Sequence, residues 1–221
     1  MRDFDPDAFF PRLLKAIGET GLMVSVSFAV ATVIGILLGL LLYASRPGNL
    51  LQNRVVFGVL NFVINVIRPV PFLIVAIALI PLTRLVFGTG LGPLPATIPL
   101  ILVASVAIGR VSESNLVAVS PGAIEAGAAM GASPVRVLFT IVVPEALGPL
   151  ILGLTYILVA LVDATAVAGV LGGGGLGDLA MTYGYQRFDW IVVGLVVVTL
   201  VLLVQLAQLL GNVLAKRVLH R

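Results

Sequence analysis

The side chains that could do chemistry in this sequence are few, and three of them are charged groups inside long apolar runs. Arg68, Arg110 and Asp163 each interrupt such a run. Ionisable groups within a membrane are costly, so they usually pair with one another or face a water-filled cavity. The three residues are therefore candidates for lining a path across a membrane. For the two arginines the alternative is a structural ion pair or a side chain that reaches the lipid headgroups. Asp163 either pairs with an arginine or meets the amine of a passing substrate.

Patterns typical of enzymes and metal sites do not occur in the sequence. There is no cysteine, and the single histidine is His220, so thiol chemistry and a histidine metal site are not expected. The apolar runs contain neither paired aspartates nor a serine–lysine arrangement. The sequence therefore predicts no catalytic residue, no metal and no cofactor held by this chain.

The composition indicates an integral membrane protein. Hydrophobic residues make up 60% of the 221 residues and charged residues 10%, and the mean hydropathy is +1.18. A soluble domain of this length could not bury so much apolar surface, and lipid offers no hydrogen-bond partner to an open backbone. Since a spanning helix needs about 20 apolar residues, we predict an all-α protein, a single domain over residues 1–221, with five spans. The spans cover approximately residues 21–43, 55–82, 95–111, 144–171 and 190–214.

Charged residues give the predicted orientation. Basic residues cluster at 216–221, which favours a cytoplasmic C-terminus because positive charge accumulates on the inner side of a membrane. Five spans then place the N-terminus outside. The first seven residues carry Asp3, Asp5 and Asp7 rather than the basic start of a secretory signal, so we expect the first span to be retained.

Glycine and proline predict turns and close packing. Residues 46–49 and 88–93 are rich in both and are expected to form turns between spans. Gly35 and Gly39 form a small-xxx-small pair in the first span. We interpret this pair as helix packing within the subunit rather than as a dimer contact.

A partly polar segment, residues 120–143, separates the third and fourth predicted spans, and we call it the handle. Ser120-Pro121 is typical of a helix start, and Gly131 can end that helix. Ser133-Pro134 repeats the start signal. The pattern predicts a short helix, a bend, a second helix, and a helix that returns into the membrane from Pro144. Its small residues predict a smooth surface for the groove of another protein, and the alternative is a re-entrant or interfacial helix that rests at the headgroups.

The glycine-rich stretch at residues 172–177 is not expected to bind nucleotide. It lacks the Gly-Lys-Ser/Thr continuation that places a lysine on phosphate groups. We predict instead a flexible outer loop that closes the path or meets a binding protein. The residues assigned to this outer gate are Gly174, Gly175, Gly177, Tyr183 and Tyr185.

The spacing within the handle resembles the signature of permease subunits of bacterial ABC importers. That signature is Glu-Ala-Ala, three residues, Gly, nine residues, Ile, two residues, Pro, and the chain departs from it at Gly127, where alanine is usual. The resemblance implies a coupling helix that sits in a cleft of an ATP-binding subunit. The residues it assigns to coupling are Glu125, Ala126, Gly127, Met130, Gly131, Ala132, Ser133, Pro134 and Pro144.

The resemblance is closest to methionine importer permeases and extends over nearly the whole chain. It is carried by matching segments such as 46–48, 65–72, 80–84, 144–147 and 174–177. It implies the transmembrane domain of a type I ABC importer, acting as a homodimer with two ATPase subunits that hold MgATP. It also implies an extracytoplasmic methionine-binding protein and localisation to the bacterial inner membrane. Asp163 departs from this family, where a small uncharged residue is expected.

Other functions explain less of the sequence. An intramembrane enzyme would need clustered catalytic groups, and an autonomous channel or ion-coupled transporter would leave the handle unexplained. Within the importer class, the alternatives to methionine are another small amino acid, a methionine derivative or a short peptide.

Overall fold

The computed structural model describes residues 6–49 and 51–219, without the side chain of Leu219. Every regular element in these ranges is helical. The α-helices are α1 (Pro6–Ser45), α2 (Arg54–Ile67), α3 (Phe72–Ala78), α4 (Ile80–Phe87), α5 (Pro93–Val117), α6 (Pro121–Ala129), α7 (Pro134–Val137), α8 (Val143–Ala168), α9 (Gly175–Leu179) and α10 (Trp190–Leu219). Three π-helical turns lie at Leu138–Val142, Gly169–Gly173 and Ala180–Tyr185. His220 and the other residues at the two termini lie outside the described ranges.

Four helical runs in the described residues are long and apolar enough to cross a membrane. They are Pro6–Ser45, Pro93–Val117, Pro134–Gly173 and Trp190–Val218. The bent pair α2 and α3 gives a fifth span if it is counted as one. The all-helical fold with five spans predicted from the sequence agrees with this architecture.

The second predicted span, residues 55–82, is not one continuous helix. It divides into α2, α3 and α4, and the first break falls at residues 68–71. Pro69 and Pro71 explain this break, because proline lacks an N–H donor and disfavours a helical conformation in the residue before it. The expectation that these prolines would break the helix is confirmed.

The first span also differs from its predicted bounds, because α1 already begins at Pro6. Its first turns carry polar residues that hydropathy alone excludes from a span. Lys15 Nζ and Glu19 Oε1, one helical turn apart, form an ion pair of 3.6 Å. Such a pair stabilises a helix on its own surface, without an apolar environment.

The described chain divides into two compact units. Unit 1 comprises residues 6–30, 70–104 and 158–208, and unit 2 comprises residues 31–49, 51–69, 105–157 and 209–219. The assignment of the whole chain to a single domain stays a prediction.

Unit 1 is built around buried side chains of α1, α9 and α10. The members of this core are Phe9, Ala16, Leu176, Leu179, Val192 and Val196. The start of α9, residues 175–177, is thereby fixed against the first half of α1.

Unit 2 packs α1 closely against α5. A Cβ atom added to Gly35 would lie 2.5 Å from Cβ of Ile108, and one added to Gly39 would collide with Cβ of Ser112. Glycine at these two positions lets the helices approach each other. The predicted role of the pair in packing within the subunit is confirmed.

Candidate functional site

The first half of the handle is a helix with a sharp end. α6 starts with Pro121 after Ser120 at the cap position, where proline costs no hydrogen bond. The Ser120 side chain makes no capping hydrogen bond, contrary to the usual role of a serine there. The helix stops at Met130, and Gly131 follows with φ +78°. This left-handed conformation suits glycine and turns the chain back.

The second half of the handle differs from the prediction at Pro144. Ser133 caps α7 as predicted, since its Oγ accepts a hydrogen bond from Arg136 N at 3.4 Å. From Pro134 the chain then stays helical into α8, so the helix that leads into the fourth span begins ahead of Pro144, although α8 itself starts at Val143, one residue before the predicted start. The π-helical turn before it explains why, because Val143 N donates to Leu138 O and the wider turn accommodates a residue without an N–H.

The inner face of the handle is anchored to unit 2. Val137, Leu138 and Val142 are buried together with residues of α1 and of the end of α5. Ile124 and Ile141 pack against the same cluster. Because both halves of the handle share one core, they are held as a single rigid piece.

The outer face of the handle is smooth and exposed. Glu125, Ala126, Ser133 and Pro134 are all exposed, and Met130 is 80% exposed. The exposed surface of the handle therefore combines small residues around Met130 with two further apolar side chains, Val135 and Phe139, and with a carboxylate at one side. An exposed apolar patch of this kind is typical of a protein–protein interface.

Gly127 points inward, away from this outer face. It is the buried residue of α6, and a Cβ atom added to it would lie 2.5 Å from Cδ1 of Ile141. The departure from the importer signature at Gly127 thus concerns packing inside the handle. Because the helix directs Gly127 to the core, this residue is not part of the exposed outer face, and its assignment to coupling stays a prediction.

A cleft of about 320 Å³ opens beside α6 in unit 2. Its lining includes Tyr43, Arg46, Asn49, Pro121 and Glu125. The turn at residues 46–49 borders the cleft, as Asn49 Nδ2 donates to Tyr43 O at 2.6 Å. The end of α1 and the start of the handle therefore form one surface.

Arg110 is the centre of a polar network that the sequence analysis found only in part. Its guanidinium donates to Glu113 Oε2 at 2.6 Å, to Asn61 Oδ1 at 2.7 Å and to Asn65 Oδ1 at 2.8 Å. The structural ion pair, one of the two alternatives for Arg110, is the arrangement observed. Glu113 was missed, although its spacing of three residues from Arg110 on a helix was the signal for a pair.

Arg68 and Asp163 are both exposed on the described chain. Among the described residues the ion pairs join Lys15 to Glu19 and Glu113 to two arginines, so neither Arg68 nor Asp163 takes part in one. The pairing of Asp163 with an arginine is therefore not observed within the described chain. Within the same residues, no cluster of three or more carboxylate, imidazole or thiol groups could hold a metal ion.

The glycine-rich stretch is a buried turn, so the prediction of a flexible loop is wrong. Gly175 N donates to Glu19 Oε2 at 2.7 Å, and Leu176 N donates to Thr20 Oγ1 at 2.9 Å. A Cβ atom added to Gly177 would collide with the carbonyl oxygen of Ala166. Glycine is needed because the backbone is packed against other elements, which also fixes the turn in place.

The tyrosines of the predicted outer gate occupy different surroundings. The guanidinium carbons of Arg12 and Arg187 each lie 4.5 Å from the centroid of the Tyr183 ring. Such contacts are attractive because a ring face carries partial negative charge. Tyr185 and Trp190 are 57% and 61% exposed.

Comparison with known proteins assigns the chain to a family. Residues 21–220 match the family described as binding-protein-dependent transport system inner membrane component. The probable D-methionine transport system permease protein MetI of Vibrio cholerae is 41% identical over 209 residues, covering 95% of this chain and 93% of that protein. The methionine import system permease protein MetP of Bacillus subtilis is 37% identical over 174 residues, covering 79% of this chain and 78% of that protein.

A solved structure supports the same assignment. A chain from the inward-facing MetNI methionine ABC transporter superposes with a TM-score of 0.93 and 36% identity, over 97% of this chain and 99% of that chain. This match confirms the predicted fold of an ABC importer transmembrane domain. With a family match over nearly its whole length, the chain belongs to the binding-protein-dependent transport system inner membrane components.

Proposed function

We propose that this chain is the permease subunit of an ATP-driven importer that moves methionine, as the L- or the D-enantiomer, across the bacterial cytoplasmic membrane. The observation that carries the proposal is the rigid handle with its exposed outer face. It is supported by relatives that match this chain over most of their length and are named as methionine transport permeases. The chain itself supplies no ATP site, and hydrolysis of MgATP belongs to a partner subunit.

The proposed assembly is a homodimer with two ATPase subunits and an extracytoplasmic methionine-binding protein. Its support is the close match to a chain of the MetNI methionine ABC transporter. Two copies around a shared axis can form a path that five helices alone hardly enclose. The N-terminus lies outside and the C-terminus in the cytoplasm, which the basic cluster at residues 216–221 favours.

The handle is the coupling element of this assembly. Met130 and the small residues around it dock into a cleft of the ATPase subunit, and Glu125 adds a charged contact at one side. When two ATPase subunits close on ATP, they draw the two handles together. Because each handle shares a core with the ends of α1 and α5, the motion passes to the membrane helices and opens the path to the other side.

Asp163 faces the proposed path. A carboxylate within a span costs about 2.5–3.5 kcal/mol near the bilayer centre, so an exposed face that carries one is expected to meet water or a partner rather than lipid. We assign it contact with the amine of the substrate. Arg68, also exposed, lies at the break of the second span and is assigned to the same path.

The outer gate is proposed at residues 172–185. The turn at Gly174 and Gly175 is fixed to α1 through Glu19 and Thr20, so it acts as a rigid stop. Tyr185 is exposed and can meet the binding protein.

A second candidate is import of another small amino acid, a methionine derivative or a short peptide. The observation that favours it is Asp163, since a carboxylate suits a substrate with an additional positive charge. Both candidates share the same coupling mechanism.

The test is uptake of labelled L-methionine into liposomes that contain this chain, its ATPase and its binding protein, with unlabelled amino acids as competitors. The proposal predicts saturable uptake that unlabelled L- and D-methionine suppress. ATP hydrolysis without methionine uptake would overturn the substrate assignment, and the competitors would identify the replacement.

A further inference from the structure

The polar network around Arg110 joins α5 to α2 and to the turn that follows α1, all within unit 2, and we call it the brace. Arg110 and Glu113 belong to α5, Asn61 and Asn65 to α2, and Arg46 follows the end of α1. Besides the three short hydrogen bonds of Arg110, Glu113 Oε1 lies 3.8 Å from Arg46 Nη1. The carboxylate of Glu113 thus links α5 with the turn that follows α1.

The brace is built from groups that are expensive to bury. Only 5% of the Glu113 side chain and 24% of the Arg110 side chain are exposed. Replacing both partners of a buried ion pair by apolar residues of similar volume often leaves the stability of a protein equal or greater. Removing only one partner is destabilising, because it leaves the other charge buried and uncompensated. Stability alone therefore gives little reason for the brace.

The geometry of Arg110 is specific. One terminal nitrogen donates to both asparagines, which are one helical turn apart on α2, while the other donates to Glu113. Only the planar fork of an arginine presents donors in this arrangement. Directional bonds of this kind fix α2 relative to α5.

One end of the brace lies beside the handle, and the other lies on the helix that ends at the break in the second span. Arg46 lines the cleft beside α6, together with Glu125 of the handle. At the other end, α2 stops at Ile67, directly before the break at residues 68–71. The brace therefore connects the support of the handle with the helix that leads into the broken span.

We propose that the brace transmits displacement of the handle to α2 and so to the break in the second span, with Glu113 as a positioning residue for transport. This inference rests on the proposed function as a coupled importer. In this role Glu113 touches no substrate. It holds Arg110 on α2 so that the helices of unit 2 move with the handle.

The test uses the complete transporter in liposomes, with ATP hydrolysis and methionine uptake measured in the same vesicles. Glu113→Gln keeps the size of the side chain and one acceptor oxygen for Arg110, but it removes the charge and the second acceptor, which faces Arg46. We expect hydrolysis to stay near the unaltered rate while uptake per ATP falls by about fivefold or more, the range of typical coupling effects. Ser112→Ala is the matched control, because Ser112 is 2% exposed on the same helix and its hydroxyl has no hydrogen-bond partner among the described residues.

A double variant separates transmission from folding. Arg110→Met with Glu113→Leu removes both buried charges but leaves Asn61 Oδ1 without its donor, so the complex is expected to assemble and to melt near the temperature of the unaltered one. We expect this variant to hydrolyse ATP and still to show low uptake per ATP. Normal uptake per ATP in the double variant would overturn the inference. It would also fail if Glu113→Gln lowered hydrolysis, uptake and melting temperature together while the double variant restored all three.

The unaltered chain distinguishes this inference from the proposed function. If it shows no ATP-dependent uptake, the proposed function fails first. If it transports methionine and Glu113→Gln does so with equal efficiency, the importer assignment stands and only the brace is refuted.

Discussion

Replacing Gly131 by arginine should separate the docking surface of the handle from its fold. Gly131 is exposed, and a Cβ atom added to it would meet no other atom within 4 Å. A longer side chain therefore has room, and its cost within the chain comes from the backbone. At φ +78° an L-residue loses about 1–2 kcal/mol relative to glycine.

Two control variants carry a backbone cost of similar size. Gly131→Ala adds the smallest side chain, and Gly131→Asn adds a polar residue that tolerates the left-handed region better. We expect the melting temperatures of all three variants to fall by similar small amounts, with asparagine least affected. Any larger effect of arginine on function must then come from what its side chain meets outside this chain.

The expected effect on ATPase binding is much larger. An unpaired charge buried in an interface costs about 3–5 kcal/mol, which corresponds to about a hundredfold weaker binding or more. The assay is co-purification of the permease with its ATPase, followed by the ATPase rate and methionine uptake in liposomes. If the arginine variant bound the ATPase and supported uptake as well as the alanine variant does, the docking role of the handle would be refuted.

Three further predictions concern other parts of the chain. Met130→Asp should weaken binding of the ATPase by about tenfold or more, since burial of a large apolar side chain contributes about 1.5–3 kcal/mol. The control variant Met130→Leu should bind normally in the same co-purification assay. Equal binding of the two variants would contradict the prediction. Gly177→Ala should lower the melting temperature, because its Cβ would collide with the carbonyl of Ala166 and overpacking costs about 1–3 kcal/mol. Gly194→Ala, where the added atom meets nothing within 4 Å, should not lower it, and equal melting of the two variants would argue against the packed turn. Asp163→Asn should raise the methionine concentration needed for half-maximal uptake by about tenfold, because loss of a charged hydrogen bond weakens binding by about this factor. Unchanged uptake with unchanged assembly would show that the carboxylate has no role in transport.

Local signals were sufficient to predict the first half of the handle. The Ser120-Pro121 pair and Gly131 mark the two ends of α6 because helix termini depend on residues that are neighbours in sequence. The break after Arg68 could be predicted for the same reason, since each proline acts on the residues next to it.

Features that depend on distant partners could not be predicted in this way. The glycine-rich turn is fixed by Glu19 and Thr20, which are each 156 residues away from the groups they bind. The asparagine partners of Arg110 lie 49 and 45 residues away on another helix. Pro144 was misinterpreted for a local reason, because the π-helical turn that accommodates it leaves no mark in the hydrophobic pattern.

The most direct test of the account compares vesicles with and without the ATPase subunit. Both contain this chain and the binding protein, and uptake of labelled L-methionine is measured with ATP and, separately, with an imposed ion gradient. The account predicts uptake only where the ATPase and ATP are both present, and its loss in the Gly131→Arg variant. Uptake that followed the ion gradient in vesicles without the ATPase would contradict it and identify a transporter that needs no motor.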